Sequence, residues 1–333
     1  MENTSFSELA SKWISFGIRA PSGHNSQPWI FQVGENAIYI LPNLKRHLEV
    51  VDSTDRELFV SLGCALENLQ LAALQDSYTS DYEYKDDKIV ITFQKVDTAI
   101  ENKEENDKLF NAINKRHTHR GNFTGEKISE ENLQIIKKCA EAKSNENVDV
   151  KIYDSGSEEA KIVCQKISEG NDIQMADPAF RNELIEWMRF NNRHISENQN
   201  GLCYNVLGFP ALPTAIGRVV IKMFLKPNAQ NKTDNEVNAS SSQFCMFTVK
   251  ENTIPNYVAL GKYIERILLT VSSLGLAYSF SNQPCEVPKL NEEIKNELKL
   301  TDYPSVIIRL GSSNGKEPKN YSPRETPEIQ FIE

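Results

Sequence analysis

The sequence lacks the features that mark several classes of protein. Its six cysteines include no C-x-x-C pair, so neither a disulfide framework nor a zinc site is indicated. No apolar run approaches the roughly 20 residues that a membrane-spanning helix needs. Residues 1–5 lack the basic and apolar regions of a secretory signal peptide. These absences predict a cytoplasmic protein with reduced thiols, no metal and no membrane partner.

Basic residues are also fewer than acidic ones. The chain has 37 Lys and Arg residues against 46 Asp and Glu, which gives a net charge of -9. Binding to nucleic acid depends on neutralising phosphates, so no nucleic-acid partner is expected. The remaining composition, 333 residues with 39% hydrophobic and 25% charged side chains, is ordinary for a globular protein of about two domains.

Apolar periodicity predicts an α+β protein. The predicted helices cover residues 5–18, 55–74, 129–143, 157–170 and 257–274, and the predicted strands cover 29–33, 37–41, 88–94, 148–153, 243–249 and 305–310. The residues 228–242 are rich in Asn and Ser and are predicted to be mobile.

Two of the predicted helices are related in sequence. Ser61–Leu71 and Ala259–Leu269 share glycine, glutamate and leucine-type positions, and each is followed by a strand. An internal repeat of this kind favours two related halves, packed as a homodimeric relative would pack two chains. We therefore expect an internal pseudo-dimer in which these helices meet at the centre, through Gly63, Ala65 and Gly261.

A loop dense in turn-forming residues follows the first helix, with the sequence Pro21-Ser22-Gly23-His24-Asn25-Ser26-Gln27-Pro28-Trp29. Its prolines fix φ, and its Ser, Gly and Asn residues tolerate tight turns. The loop would present backbone N–H groups and short polar side chains beside an indole, which suits a flat ring rich in heteroatoms. The alternative is a plain connector between a helix and a strand.

A second polar stretch is Arg116-His117-Thr118-His119-Arg120. Two arginines four residues apart, with a threonine between them, can converge on one tetrahedral oxyanion through charge-assisted bonds. The flanking arginines would repel a cation, so the histidine pair is not expected to bind a metal. The alternative is a solvated basic end of a helix, which would favour the helix dipole.

The segment 171–242 contains a predicted helix that starts at Asp177-Pro178, with Asp as N-cap and Pro in the first position. The stretch 200–227 that follows mixes Gly and Pro with apolar side chains. A long apolar loop inside a domain is usually functional, for example as a lid. The alternative is a helical excursion docked on the core.

Four motifs together resemble the FMN-dependent nitroreductase family. The loop 21–29 resembles that family's P-S-S-x-N-x-Q-P-W loop, and 116–120 resembles its R-x-S-x-[RK] phosphate motif. Gln283-Pro284-Cys285-Glu286 resembles the segment that faces the reactive edge of the flavin, and Gly311 followed by Arg324 resembles the closing arginine. The phosphate motif follows the Q-P-W loop here. That order, with two halves in one chain, resembles the Acg-type branch.

The resemblance implies a nitroreductase-like α+β fold, with a first half at 1–100 and a second at 101–333 that carries a lid insertion at 171–242. It implies an FMN-dependent oxidoreductase that uses NAD(P)H and reduces nitroaromatics, quinones or similar flat small-molecule acceptors by a ping-pong mechanism. The pseudo-dimer would let the chain work as a monomer. Two alternatives stay open: a flavin-binding or flavin-sequestering protein with a lidded pocket and little turnover, and a flavin-free structural relative.

The resemblance also assigns cofactor-binding residues but no catalytic side chain, because the flavin carries the chemistry. The phosphate would be held by Arg116, Thr118 and Arg324, with His117 alongside and Arg120 near the N1/O2 edge of the ring. The ring would be lined by Pro21, Ser22, Gly23, Asn25 and Gln27, and its N5 edge by Pro284, Glu286 and Val287. In the lid, Trp187 and Phe209 are the candidates for contact with the flavin.

Overall fold

The computed structural model describes residues 5–143, 147–313 and 320–332. Residues 1–4, on which the expectation about a signal peptide mainly rests, lie outside these ranges. The first elements in chain order are α1 (Phe6–Gly17), β1 (Trp29–Val33), β2 (Ala37–Pro42), α2 (Arg56–Gln75), β3 (Tyr78–Lys85), β4 (Lys88–Lys95) and α3 (Lys103–Ala112).

The middle of the chain is mainly helical. Its elements are α4 (Glu130–Lys143), β5 (Val148–Asp154), α5 (Glu158–Ala176), α6 (Pro178–Glu186), β6 (Met188–Arg189), α7 (Asn192–Asn198), β7 (Leu202–Cys203), α8 (Tyr204–Leu207), α9 (Thr214–Phe224) and α10 (Pro227–Ala239). The remaining elements are β8 (Gln243–Val249), α11 (Ile254–Ser273), β9 (Leu276–Phe280), α12 (Gln283–Glu286), α13 (Pro288–Glu297), β10 (Tyr303–Ser312) and β11 (Ile329–Phe331). The predicted α+β class is confirmed.

Two sheets share one topology. The larger has the strand order β11-β1-β2-β4-β3, and the smaller has the order β5-β8-β10-β9. In each, two antiparallel strands are followed by a 20-residue helix and two more strands, and the last strand inserts beside the second. The C-terminal β11 adds to the first sheet, parallel to β1. This shared topology agrees with the repeat in the sequence, although the division at residue 100 stays a prediction.

The two long helices α2 and α11 pack against each other, as the repeat predicted. They cross where two glycines face each other, so closely that a Cβ on Gly63 would lie 2.1 Å from the carbonyl oxygen of Val258. A Cβ on Gly261 would lie 2.0 Å from the carbonyl oxygen of Val60. Real Cβ atoms do not approach oxygen so closely, and the crossing therefore depends on glycine in both helices.

The core around this helix pair is apolar and continuous. It includes Trp13, Phe31 and Phe247, all of which are fully buried, and it joins side chains from both sheets. Helix α2 is long and apolar enough to cross a membrane, but 89% of its apolar window is buried inside the protein. Its composition is explained by its central position in this core.

The structure departs from the predicted elements at two places. The polar residues 78–85 form β3, an edge strand whose side chains alternate between half-buried and exposed. The residues 228–242 are largely helical, because they form most of α10, and the prediction of a mobile segment was wrong. Tertiary contacts fix this helix: Asn171 donates to Asp234 at 2.8 Å, and Asn238 is buried.

Candidate functional site

A cavity of about 1390 Å³ is lined in part by residues of both central helices, α2 and α11. It exceeds the roughly 300–1,000 Å³ that is usual for small-molecule sites. Its walls come from the loop after α1, the stretch after α3, the β9–α12 turn, the C-terminal segment before β11, and the helices between residues 171 and 242. The predicted site residues that line it are Pro21, Ser22, Gly23, Asn25, Arg116, His117, Thr118, Arg120, Glu286 and Arg324.

Three predicted residues do not line the cavity: Gln27, Pro284 and Val287. Gln27 is buried, and its side chain forms hydrogen bonds within the protein. Its Nε2 donates to the carbonyl oxygen of Gln199 at 3.0 Å, and its Oε1 accepts from the backbone N–H of Glu325 at 3.0 Å. Gln27 therefore ties the loop to the insertion and to the C-terminal segment. The predicted cofactor contacts of these three residues are not supported by their positions.

The loop after α1 is held in a tight turn, as its composition predicted. His24, Asn25 and Gln27 all have positive φ, near 50°, which non-glycine residues rarely adopt. Ser22 stabilises the turn, because its Oγ accepts from the N–H of Gln27 at 3.0 Å. Backbone held in such a conformation is commonest at functional sites.

His24 brings an unpaired nitrogen to this loop. Its Nδ1 is buried and has no hydrogen-bond partner among the residues that the structure describes. Burial lowers the pKa of His24 to about 4, and the nearby positive charge of Arg120 lowers it further in the same direction. The imidazole is therefore neutral at pH 7. A buried nitrogen without a partner is costly in a finished protein, so it suggests a site that a ligand completes.

Arg116 is turned towards the protein. Its guanidinium donates to the hydroxyl of Tyr278 and to the carbonyl oxygen of Arg19. Its Nε lies 3.0 Å from Oε1 of Glu265, an ion-pair distance, and the two side chains are 3% and 0% exposed. All three nitrogens face protein groups, so the direct phosphate contact that the resemblance implied for Arg116 is not supported by this arrangement.

Arg324 is a half-buried cation that forms no ion pair with a carboxylate among the described residues. Its Nε donates to the carbonyl oxygen of Ile18 at 2.7 Å, and its Nη1 donates to Oδ1 of Asn25 at 2.8 Å. Burial, together with repulsion from Arg116 and Arg19, lowers the pKa of Arg324 to about 9, although the charge of Glu265 acts in the opposite direction. These bonds fasten the C-terminal segment over the loop.

Two further arginines are exposed to the cavity, Arg19 and Arg120. Within residues 5–143, 147–313 and 320–332, neither side chain has a hydrogen-bond or ion-pair partner. Burial lowers the pKa of Arg120, as expected for a cation on a cavity wall. Arg120 was predicted as a cofactor-binding residue and Arg19 was not, although Arg19 lies only two residues before the Pro21–Trp29 loop. Together with Arg324 they give this part of the cavity a positive charge that suits an anion.

The histidines of the 116–120 stretch each place one ring nitrogen near a backbone carbonyl oxygen. Nδ1 of His117 lies 2.9 Å from the carbonyl oxygen of Lys115, and Nε2 of His119 lies 3.1 Å from that of Asn122. The described part of the chain contains no group of three or more potential metal ligands. The stretch is instead fixed against β9, where the N–H of His119 donates to the carbonyl oxygen of Tyr278 at 2.8 Å.

A carboxyl pair, Glu57 and Glu286, also lines the cavity. Burial raises the pKa of Glu286 well above its usual range, and the neighbouring Glu57 raises it further. The side chain of Gln174 donates to Glu286 at 2.5 Å, and that of Asn282 donates to Glu57 at 3.1 Å. Burial and the charge of Glu57 both favour the protonated form of Glu286. Glu57 and Gln174 were missed in the sequence because each lies within the pattern of a helix.

The insertion covers part of the cavity. Phe209 lines it, as predicted for a lid residue, and so do Met175, Phe180 and Phe224. Trp187 does not. It packs in an apolar cluster with Leu48, Val51, Met175 and Phe180. Met175 and Phe180 line the cavity but Trp187 itself does not, so its predicted contact with the flavin is not supported by its position.

The chain has relatives among known proteins, although no family model matches it. Two Mycobacterium tuberculosis proteins, from strains CDC 1551 and H37Rv and each named "Putative NAD(P)H nitroreductase", are 22% identical to it over 320 residues, which is 93% of this chain and 87% of theirs. The chain is similar to these nitroreductases over almost its whole length. The resemblance inferred from the four motifs is thereby confirmed, and the Acg-type branch stays a prediction.

Solved nitroreductase structures are also similar to parts of the chain. The FMN- and NADPH-dependent nitroreductase NfnB from a Sphingopyxis strain is 14% identical, with a TM-score of 0.43, over 65% of this chain and 94% of that one. A nitroreductase with bound FMN from Desulfitobacterium hafniense is 15% identical, with a TM-score of 0.39, over 68% of this chain and 98% of that one.

Proposed function

We propose that the cavity binds FMN and that the protein is an FMN-dependent oxidoreductase of nitroreductase type, driven by NAD(P)H. The observation that carries this proposal is the convergence, in one cavity, of three stretches that are distant in sequence. They bring together the guanidinium groups of Arg19, Arg120 and Arg324, none of which forms an ion pair with an acid among the described residues. A dianionic phosphate would supply the missing negative charge. The names of the two mycobacterial relatives support the same reaction class.

The residues present fit such a cofactor. The phosphate would be bound by Arg19, Arg120 and Thr118, with the charge of Arg324 behind them and His117 alongside. The ring would lie against the backbone and side chains of residues 21–25, where the unpaired nitrogen of His24 is available to a heteroatom. Arg116 would act indirectly, because it holds the carbonyl oxygen of Arg19 and so fixes the start of the loop.

When bound, FMN would supply hydride acceptance from NAD(P)H and hydride donation to a flat acceptor, such as a nitroaromatic or a quinone, in a ping-pong mechanism. The chain itself would supply the positive charge of its arginines, a carboxyl group with a raised pKa, and the shape of the cavity. The guanidinium of Arg120 favours negative charge on its bound partner. The carboxyl of Glu286, whose raised pKa favours the protonated form, lies at the cavity wall, and Phe209 and Phe224 add apolar surface to the same cavity.

The insertion leaves a cavity of about 1390 Å³ beneath it. This space exceeds a usual single-ligand site, so a nicotinamide or an acceptor can share it with the cofactor. For this reason we favour turnover over a flavin-sequestering protein. We further propose that the halves 1–100 and 101–333 form the internal pseudo-dimer, that the chain works as a monomer, and that it is cytoplasmic, since all six cysteines are free thiols.

The test uses Arg19 and Arg120, whose side chains have no partner among the residues that the structure describes. Arg19→Ala and Arg120→Ala should each remove one charge-assisted contact, which weakens FMN binding roughly 10- to 150-fold. The measurement is a titration of the purified apoprotein with FMN, followed by flavin fluorescence. Arg193→Ala is the control, because that side chain is 87% exposed and pairs only with Glu197 on its own helix.

Three outcomes decide the proposal. Weaker FMN binding in the two cavity variants alone, with NAD(P)H oxidation that depends on an acceptor, supports it. Tight FMN binding without NAD(P)H oxidation would favour the flavin-sequestering alternative. A protein that binds no FMN would leave only the flavin-free structural relative.

A further inference from the structure

One surface of the insertion has a charge opposite to that of the whole protein. Between residues 198 and 233 the sequence contains no Asp or Glu, although the chain has 46 of them and a net charge of -9. The same stretch contains four basic residues, Arg218, Lys222, Lys226 and Lys232. All four are exposed, and no ion pair forms with them among the described residues.

Helix α9 in this stretch exposes apolar side chains in a row. Ile216, Val219 and Met223 are 54%, 62% and 58% exposed. Their spacing of three and four residues places them on one face of the helix. Arg218 and Lys222 lie one residue before Val219 and Met223, and therefore along the flank of that face. We call Ile216, Arg218, Val219, Lys222 and Met223 the α9 patch.

The opposite face fixes the helix to the protein. Gly217 and Ile221 are buried, and a Cβ on Gly217 would lie 2.4 Å from Cδ1 of Phe190. The patch therefore belongs to a helix that is packed in place, and its apolar row cannot turn inward without losing this contact. Apolar rows of this kind on a surface mark an interaction site.

The patch adjoins the mouth of the cavity. Phe209 and Phe224 are 46% and 67% exposed, and both also line the cavity. Phe224 directly follows Met223 in the same helix. The apolar surface is thus continuous from the α9 patch into the site.

We propose that the α9 patch docks the protein on an anionic lipid bilayer surface, with the cavity mouth towards the membrane. Basic side chains that flank an exposed apolar row are the arrangement of helices that lie in the membrane interface. A second copy of this chain is a poorer occupant, because it would bring the same positive charges together. A protein partner usually forms a hydrogen bond for every 100–200 Å² or so, and apart from its basic side chains the patch offers no hydrogen-bonding group.

This inference changes the expectation that the protein has no membrane partner. The absence of a 20-residue apolar run excludes a spanning helix, but a helix that lies in the interface needs no such run. Docking also requires none of the proposed chemistry, so it can be tested without cofactor or turnover.

The test is co-flotation of the full-length protein with vesicles. One vesicle preparation contains phosphatidylcholine alone, and the other contains about one-third phosphatidylserine, a composition rich enough in anionic lipid to attract basic residues. We expect binding to the second preparation only, and weaker binding at high salt because the charges are screened.

The decisive variant is Val219→Asp with Lys222→Glu. It should weaken binding to the anionic vesicles by at least roughly 30-fold, because the charge reversal alone changes the surface attraction by about two charges. The matched control is Ile135→Asp with Lys138→Glu, which places the same changes at the same spacing on the exposed face of α4. All four side chains are exposed, so both variants should melt at the temperature of the unmodified protein.

The proposal is overturned by any of three results. The first is equal binding to both vesicle preparations, or to neither. The second is equal loss of binding in the α9 and α4 variants. The third is an oligomer of the free protein that the α9 variant disrupts, without any vesicle binding, since the patch would then be an interface between copies of the chain.

Discussion

The buried Arg116–Glu265 pair allows a sharp distinction between a cofactor ligand and a structural group. A ligand of the phosphate could be changed to alanine with a loss of affinity and little change in the stability of the apoprotein. Arg116→Ala should instead lower the stability of the apoprotein, with little direct loss of FMN affinity. It would leave Glu265, which is 0% exposed, without its cation, and it would also remove the donors to Tyr278 and to the carbonyl oxygen of Arg19.

The magnitude follows from this burial. Removing one partner of a buried ion pair costs about 3–5 kcal/mol. For a chain of 333 residues, an unfolding entropy of about 2.1 cal/mol/K per residue converts that loss into a melting temperature lower by about 4–7 °C. The assay is thermal unfolding of the apoprotein, followed by circular dichroism. Arg116→Met combined with Glu265→Leu should recover most of the loss, because no unpaired charge remains.

The control is Arg193→Ala, which breaks an exposed Arg–Glu pair within one helix. Exposed pairs contribute about 0–1 kcal/mol, so the melting temperature should hardly change. An Arg116→Ala apoprotein that is as stable as the unmodified one, but binds FMN weakly, would refute this reasoning. It would also restore Arg116 as a direct phosphate ligand.

Three further predictions concern the helix crossing, the buried carboxyl of Asp52 and the proposed lid. Gly261→Ala should lower the free energy of unfolding by about 3 kcal/mol or more, because its Cβ would meet a backbone oxygen at 2.0 Å, whereas the surface change Gly34→Ala should be nearly neutral in the same urea titration. Burial raises the pKa of Asp52 to about 7, so the folded protein binds this proton more tightly than the unfolded chain, and stability is lost as pH rises from about 4 to 7. Asp52→Asn should remove that loss, and its melting temperature relative to the unmodified protein should therefore rise between pH 5 and pH 8. Phe209→Ala should raise kcat/KM for bulky quinones through a wider cavity mouth, whereas Trp187→Ala should not, and equal effects of the two would contradict the positions of these rings.

Local features of the chain were read correctly from the sequence. The strands Trp29–Val33 and Gln243–Val249 have the predicted bounds, because alternating or continuous apolar residues bounded by turn formers specify a strand without distant information. Asp177 caps α6 as predicted, since its side chain accepts from the N–H of Ala179 two residues away. The turn of the Pro21–Trp29 loop was also set locally, by its prolines and small polar residues.

The sequence predicted in part which residues line the site. Motifs from distant stretches were predicted to converge, and most of their residues line one cavity. The prediction succeeded because the resemblance supplied the long-range information that periodicity lacks. It did not supply the partners of individual side chains, and Arg19 was therefore missed beside the motif that it precedes.

Only the tertiary structure decided which arginines of the predicted site are paired. Arg116, Arg120 and Arg324 have equally basic side chains, yet Glu265 pairs with the first and backbone carbonyls accept from the last. The side chain of Arg120 has no hydrogen-bond or ion-pair partner in the described part of the chain. In the same way, packing turned Phe209 into the cavity and Trp187 away from it. The residue type fixes the length and the charge of a side chain. Its partners belong to elements that meet it only after the chain has folded, so the local sequence does not specify them.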